Sequence, residues 1–243
     1  MSENNLPRSA RAIVVGGGVI GCSTAYHLAK LGWKEIVLLE RKQITSGTTW
    51  HAAGLVTTLR DTESQTKLAQ YSLDLYNDLE RVTGQSTGFI KCGSIQLATS
   101  DAKQEEMRRG CAMARSFGVS NSEISPKEVK ELFPLAYVDD LKCGFYFPDD
   151  GRVNPADVTQ ALAKGAKKMG VKILENLPVL DVIVENGRAC GVKTLEGEIK
   201  AEVVVLCPGM WGYEMGNKIG VNIPLQAAEH YYLISEPIPE VHN

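Results

Sequence analysis

"RAIVVGGGVIGCSTAYHLAKLGWKEIVLLER", residues 11–41, decides the fold of this chain. Ala12–Val15 is a short apolar run that enters a glycine cluster, as a buried parallel strand does. From Ile20 to Leu31 apolar residues recur at helical spacing, and Gly32 ends the helix. Ile36–Leu39 is a second apolar strand, closed by Glu40. The stretch is one strand–helix–strand unit of the usual length.

Its glycines follow the spacing Gly16-x-Gly18-x-x-Gly21. Gly16 allows the tight turn, Gly18 lets backbone approach a pyrophosphate, and Gly21 lets helix and strand pack closely. The helix N-terminus then offers free N–H groups and a positive dipole end to the phosphates. Glu40 lies where a carboxylate accepts hydrogen bonds from ribose hydroxyls and repels a 2′-phosphate. Strand, glycines, helix, strand and acid in order imply a bound dinucleotide. They do not distinguish a flavin from a nicotinamide. His27 and Cys22, both on the helix, read as packing residues.

After Glu40 the chain departs from the usual second helix. "SGTTWHAAGL", Ser46–Leu55, is a loop of small and hydroxyl residues around Trp50 and His51. Small residues let backbone approach a large planar group, and hydroxyls and amides can serve its phosphates.

Together with "IVVGGGVIGCSTAYHLAKLG" and "LLER", the stretch "TTWHAAGL" resembles the FAD-dependent amine oxidoreductases of the D-amino-acid-oxidase fold, nearest to the dimethylglycine and sarcosine dehydrogenase group. The resemblance implies FAD, attached covalently through His51 to the 8α-methyl of the flavin ring. A neutral imidazole nitrogen can form that bond at physiological pH. It further implies cofactor contacts at Gly16, Gly18, Val19, Ile20, Gly21, Glu40 and Arg41 on the ADP side. Ser46, Gly47, Thr48, Thr49, Ala53, Gly54 and Leu55 would serve the phosphates, ribityl chain and ring. Backbone at Val179 would lie by the adenine. "AEVVVLCPGMWG" is a buried strand entering a turn similar to the family's second dinucleotide signature, which brings Gly209 and Trp211 near the flavin. Cys207-Pro208 departs from the small residues usual there. "IPLQAAEHYYLISEPIPEVHN" reads as a strand crossing into a substrate sheet, with His230 as the catalytic histidine over the flavin.

The implied fold is α/β: a Rossmann-like, parallel FAD-binding sheet of the glutathione-reductase type, interleaved with an α+β substrate subdomain. Residues 9–60 and 145–220 are expected to form the first, and 61–144 and 221–243 part of the second. The segment 62–83 is an amphipathic helix in which Tyr71 and Tyr76 read as packing residues. "DAKQEEMRRGCAMARSFG" and "SPKEVKELFP" are further helices. Asp149-Asp150-Gly151 reads as a solvated turn, and Asn154-Pro155 opens a helix to Met169. Val171–Leu174 is the next strand of the nucleotide sheet, followed by strands that turn at Asn186-Gly187 and Glu196-Gly197. Val241-His242-Asn243 is no natural end for such a fold, so a fragment of a longer gene product is expected.

Composition narrows the class. Hydrophobic residues make up 44% of the 243, charged residues 23%, and the formal charge is −3 without like-charge runs. No cationic surface for nucleic acid follows from that. The six cysteines form no CxxC pair and the four histidines show no zinc spacing, so a metal is not expected and free thiols in a reducing compartment are. The polar start "MSENNLPRSARA" has neither signal-peptide nor membrane character, which points to the cytoplasm, or to the mitochondrial matrix in a eukaryote. The expected reaction, from the resemblance, is oxidation of a small N-methylated amino acid by hydride transfer to flavin. Oxygen or an electron-transfer flavoprotein would be the acceptor. Another oxidase of the same fold and a non-catalytic regulator on the same scaffold are the alternatives.

Overall fold

The computed structural model describes residues 6–231 and 233–239. The chain divides into two compact units: residues 1–53, 79–87 and 154–229 form the first, and 54–78, 88–153 and 230–243 the second. These limits differ from the expected domains: 54–60 and 145–153 fall in the second unit, and 79–87 and 221–229 in the first. Val241, His242 and Asn243, on which the expectation of a fragment was based, lie outside the described residues.

In the first unit, β1 (Ser9–Val15) leads through the glycine turn into α1 (Val19–Lys30) and β2 (Ile36–Leu39). The second strand lies where the sequence puts it. Gly32, at φ +88°, ends α1 in a conformation that costs glycine little. The apolar run of β1 is buried on both faces, as a central parallel strand must be: Ala12, Ile13 and Val14 are wholly inaccessible. Ile13 and Val15 pack with Val37, Leu39, Val192 and Ile199 in one cluster. By strand alternation Ala12, Val14, Ile36 and Leu38 face the opposite side. Each such aliphatic side chain contributes about 1.5–3 kcal/mol by leaving water.

In the second unit, a short β3 (Leu55–Val56) is followed by α2 (Glu63–Thr83), whose last turn belongs to the first unit. Then come β4 (Ser94–Ala98), α3 (Asp101–Ser116), β5 (Ser122–Ile124), α4 (Pro126–Leu132), β6 (Cys143–Phe147) and β7 (Gly151–Arg152). Strands β4, β6 and β5 pair antiparallel in that order, and β3 pairs with β7. Phe145, Phe147, Met107, Cys111 and Ala114 fill the core of this unit. The Ser-Pro start of α4 forms a capping box: Glu128 N–H donates to Ser125 Oγ (3.3 Å) and Ser125 N–H to Glu128 Oε2 (2.7 Å).

The chain returns to the first unit through α5 (Pro155–Lys168), capped by Asn154 Oδ1, which accepts from Ala156 and Asp157 N–H at 3.0 and 3.3 Å. Strands β8 (Lys172–Leu174), β9 (Val179–Glu185), β10 (Arg188–Thr194) and β11 (Gly197–Leu206) follow, and α6 (Gly212–Lys218) is the last regular element among the described residues. The sheet order is β8-β2-β1-β11-β10-β9. Its first four strands are parallel, while β10 and β9 extend it antiparallel. The β9–β10 turn has positive φ at Asn186 (51°) and Gly187 (74°), which matches the right-handed twist of the hairpin. A Cβ on Gly165 would lie 2.7 Å from Tyr26 Cε2, so this glycine lets α5 approach α1 closely.

Two expectations need correction. Asp150 is not solvated: it is 1% exposed, and its Oδ1 accepts from Thr58 N–H (2.8 Å) and Thr58 Oγ1 (2.7 Å). Its Oδ2 accepts from Ser94 Oγ at 2.6 Å. A turn aspartate is inward here because three donors from distant segments satisfy it. Only Asp149 behaves as a surface residue, paired with Lys91 at 2.6 Å. Second, the strand expected around His230 is absent among the described residues. From 221 to 231 there is no regular structure, and Tyr231, Leu233 and Ile234 are 84–89% exposed. A strand exists only where backbone groups find a partner, and among the described residues β4, β6 and β5 pair only with one another.

Candidate cofactor site

The turn between β1 and α1 is shaped by steric exclusion. Gly16 has φ +111°, and a Cβ there would collide with the Cys207 carbonyl oxygen. A Cβ on Gly21 would overlap the Gly16 carbonyl. Two further glycines are constrained less severely, by side chains: a Cβ on Gly17 would lie 2.8 Å from Glu40 Cβ, and one on Gly18 3.0 Å from Thr49 Oγ1. The bare backbone brings the first N–H groups of α1, at Val19 and Ile20, to the turn, where an α-helix has no acceptors of its own. Such a cradle fits a diphosphate.

Glu40, 9% exposed, is fixed within it. Its Oε2 accepts from Gly17 N–H at 2.6 Å and its Oε1 from Lys42 N–H at 2.9 Å. A carboxylate has about four lone-pair positions, so two are left for ribose hydroxyls. The chain beyond Glu40 is pinned by the end of β8. Glu40 N–H donates to Leu174 O (2.9 Å), Leu177 N–H to Glu40 O (2.9 Å) and Asn176 N–H to Lys42 O (2.7 Å). Ile44 N–H donates to Glu175 Oε1 at 2.7 Å. Val179 therefore begins β9 two residues beyond a bond to Glu40, with its side chain in the sheet core.

The loop from 45 to 51 docks on the same turn. Thr45, at φ +77°, donates its N–H to Gly17 O at 3.1 Å. Thr49 is buried, and its hydroxyl accepts from Val19 N–H at 3.0 Å, capping α1 from a distant part of the chain. Thr49–His51 is a single 3-10 turn. It carries His51 to the surface, where the imidazole lies against Trp50 with ring centroids 3.7 Å apart and planes tilted by 35°. Ser46 and Thr48 are exposed beside it. Gly209, at φ +60°, starts the turn that ends at Trp211, and the Arg41 guanidinium lies 3.7 Å above the Trp211 ring.

The first unit thus gathers Gly16, Gly18, Val19, Ile20, Gly21, Glu40, Arg41, Ser46, Gly47, Thr48, Thr49, His51, Ala53, Val179, Gly209 and Trp211. Gly54 and Leu55 belong to the second unit, where Gly54 O accepts from Val153 N–H (2.8 Å) and Leu55 is 74% exposed in β3. His230 is exposed outside any regular element and belongs to the second unit. Cys22 is a packing residue: burial, and then the Glu40 carboxylate, push its thiol up to about 12. Gly17 and Glu175 were missed by the motif reading. For Gly17 the signal was there, since it is the middle one of three consecutive glycines, Gly16–Gly18. Nothing local announces Glu175, 131 residues from its partner Ile44.

Residues 11–243 match the family described as FAD dependent oxidoreductase, DAO. The mitochondrial pyruvate dehydrogenase phosphatase regulatory subunit of Mus musculus is 42% identical over 96% of this chain, which spans 27% of that protein. The mitochondrial sarcosine dehydrogenase of Homo sapiens is 39% identical over 98% of this chain, again 27% of the relative. Among solved structures, L-proline dehydrogenase from P. horikoshii superposes with a TM-score of 0.83 at 30% identity, covering 89% of this chain and 57% of that one. The chain spans little more than a quarter of the curated relatives' length.

Proposed function

The chain belongs to the DAO family of FAD-dependent oxidoreductases, and from that premise we propose that its protein oxidises the C–N bond of a small N-methylated amino acid. Sarcosine and dimethylglycine are the substrates to test first. Bound FAD supplies the hydride acceptor for the C–H next to nitrogen. The chain's own residues hold and orient it. Gly16, Gly17, Gly18 and Gly21 bare the backbone for the diphosphate, Glu40 takes the ribose, and Ile20 offers its N–H at the head of α1, next to the Val19 N–H that Thr49 holds. His51 is the residue to which the flavin ring is joined.

One observation carries this reading: Thr49 ties the 3-10 turn of His51 to the first N–H of α1, so an exposed imidazole is held by the same turn that cradles the diphosphate. The sarcosine dehydrogenase likeness supports the substrate class. The regulatory subunit, at 42% identity, supports a second reading, a non-catalytic regulator on this scaffold. Both relatives are mitochondrial, which supports placing the protein in the mitochondrial matrix in a eukaryote.

The test is flavin that survives acid precipitation, measured by fluorescence of the denatured chain. Acid-stable flavin that His51→Ala abolishes, together with bleaching of the yellow colour by sarcosine or dimethylglycine, meets the expectation. A chain that takes up no FAD refutes the enzyme reading in favour of the regulator. FAD bound but released by acid restricts the reading to a non-covalent cofactor.

A further inference from the structure

We infer that Trp211 is a positioning residue for the loop that delivers His51. The argument rests on the reading that His51 holds the flavin, but its geometry is independent of it. Strand β11 is followed by Cys207-Pro208, and the positive φ of Gly209 turns the chain so that Trp211 lies half-buried against residues more than 160 positions earlier. The ring meets the loop at two points. Arg41 stacks on its face, with the guanidinium carbon 3.7 Å from the centroid. Gly47 approaches its edge, where a Cβ would lie 3.8 Å from Trp211 Cζ3. Thr48 Oγ1 would be equally close, 3.8 Å, to a Cβ on Gly209.

Arg41 and Gly47 bracket the segment that precedes Thr49. Within the bracket only Ile44 is buried, at 3% exposure, and its N–H is taken by Glu175. Arg41, Lys42, Gln43, Ser46 and Thr48 are exposed. The loop therefore has few apolar contacts of its own, and segments of that kind open most easily. The aromatic face is its lateral platform: a flat ring can hold a guanidinium and admit a glycine backbone at its edge. An aliphatic side chain offers no such face. Trp211 thus acts on the cofactor through the loop, by keeping the 3-10 turn of His51 in one place before the flavin arrives.

Trypsin provides the first measurement, because Arg41 and Lys42 lie inside the bracket. In the flavin-free, full 243-residue chain, Trp211→Leu is expected to be nicked after Arg41 or Lys42 about three- to fivefold faster than the parent, as judged by mass spectrometry of early fragments. Trp211→Phe, which keeps a face, is expected to stay near the parent rate. The second measurement is the rate at which added FAD becomes acid-stable, expected to slow by a similar factor in Trp211→Leu and to be rescued by Trp211→Phe. If the parent takes no acid-stable flavin, the attachment reading fails, and the trypsin rates still decide the platform. Equal nicking of parent and Trp211→Leu, or equal acceleration by Leu and Phe, overturns the inference. Should Trp211→Leu fail to fold, Arg41→Met removes the cation alone. Faster cutting at Lys42 then supports the platform, and an unchanged rate refutes it.

Discussion

Replacing Glu40 by glutamine tests whether this carboxylate builds the site before any ribose reaches it. In the structure it accepts from Gly17 N–H at 2.6 Å and from Lys42 N–H at 2.9 Å, while 9% exposed. Glutamine has one acceptor oxygen in place of two, so its NH2 must face one of these donors. That leaves a buried N–H unmade, at about 1–3 kcal/mol, and reduces the other bond from charge-assisted to neutral, about 1 kcal/mol more. The flavin-free chain is therefore expected to lose about 2–4 kcal/mol. With an m-value of about 2 kcal/mol/M, the urea midpoint of the first unit falls by about 1–2 M. FAD affinity, followed by quenching of flavin fluorescence, is expected to fall at least about tenfold, since a ribose acceptor goes as well. A Glu40→Gln chain that unfolds at the parent midpoint while losing FAD would refute the reasoning, for the carboxylate would then serve the nucleotide alone.

Asp150→Ala strands the buried Thr58 N–H and two hydroxyl donors, and an equilibrium unfolding loss of about 3–5 kcal/mol is expected, with Asp150→Asn losing about half. Losses below about 0.5 kcal/mol would mean that water substitutes for the carboxylate. On the surface of the second unit, Arg108 grips Glu123 and holds its carboxyl at about 2, below its ordinary 4.5. Because the folded value is depressed, this contribution is complete above pH 4.5 and is lost as pH falls towards 2. Solvent screening limits it to about 1 kcal/mol, and Glu123→Gln is expected to flatten the stability profile over that window in acid titrations followed by circular dichroism.

Much of the first unit was legible because its signals are local. Alternation of apolar runs with a 3.6-residue period, punctuated by glycine and closed by an acid, specifies β1, α1 and β2 within 30 residues, where backbone sterics leave few options. Caps were legible for the same reason: Ser125, Asn154 and the Asn186-Gly187 turn act through bonds to neighbours a few positions away. Asp150 was misread because a turn-forming dipeptide carries no information about donors at Thr58 and Ser94. The expected strand at His230 failed on the same ground, since alternating residues make a strand only when a neighbour offers its backbone.

By itself the sequence determined a dinucleotide cradle, its parallel sheet and a small-residue loop around His51. Tertiary structure alone decided that Thr49 caps α1, that Glu175 pins Ile44, that Arg41 lies on Trp211 and that Asp150 is inside. The physical reason is range. Torsional preference and hydrophobic period act between neighbours, whereas a buried hydrogen bond or a stacked cation depends on which distant segments the folded backbone brings within about 3–4 Å.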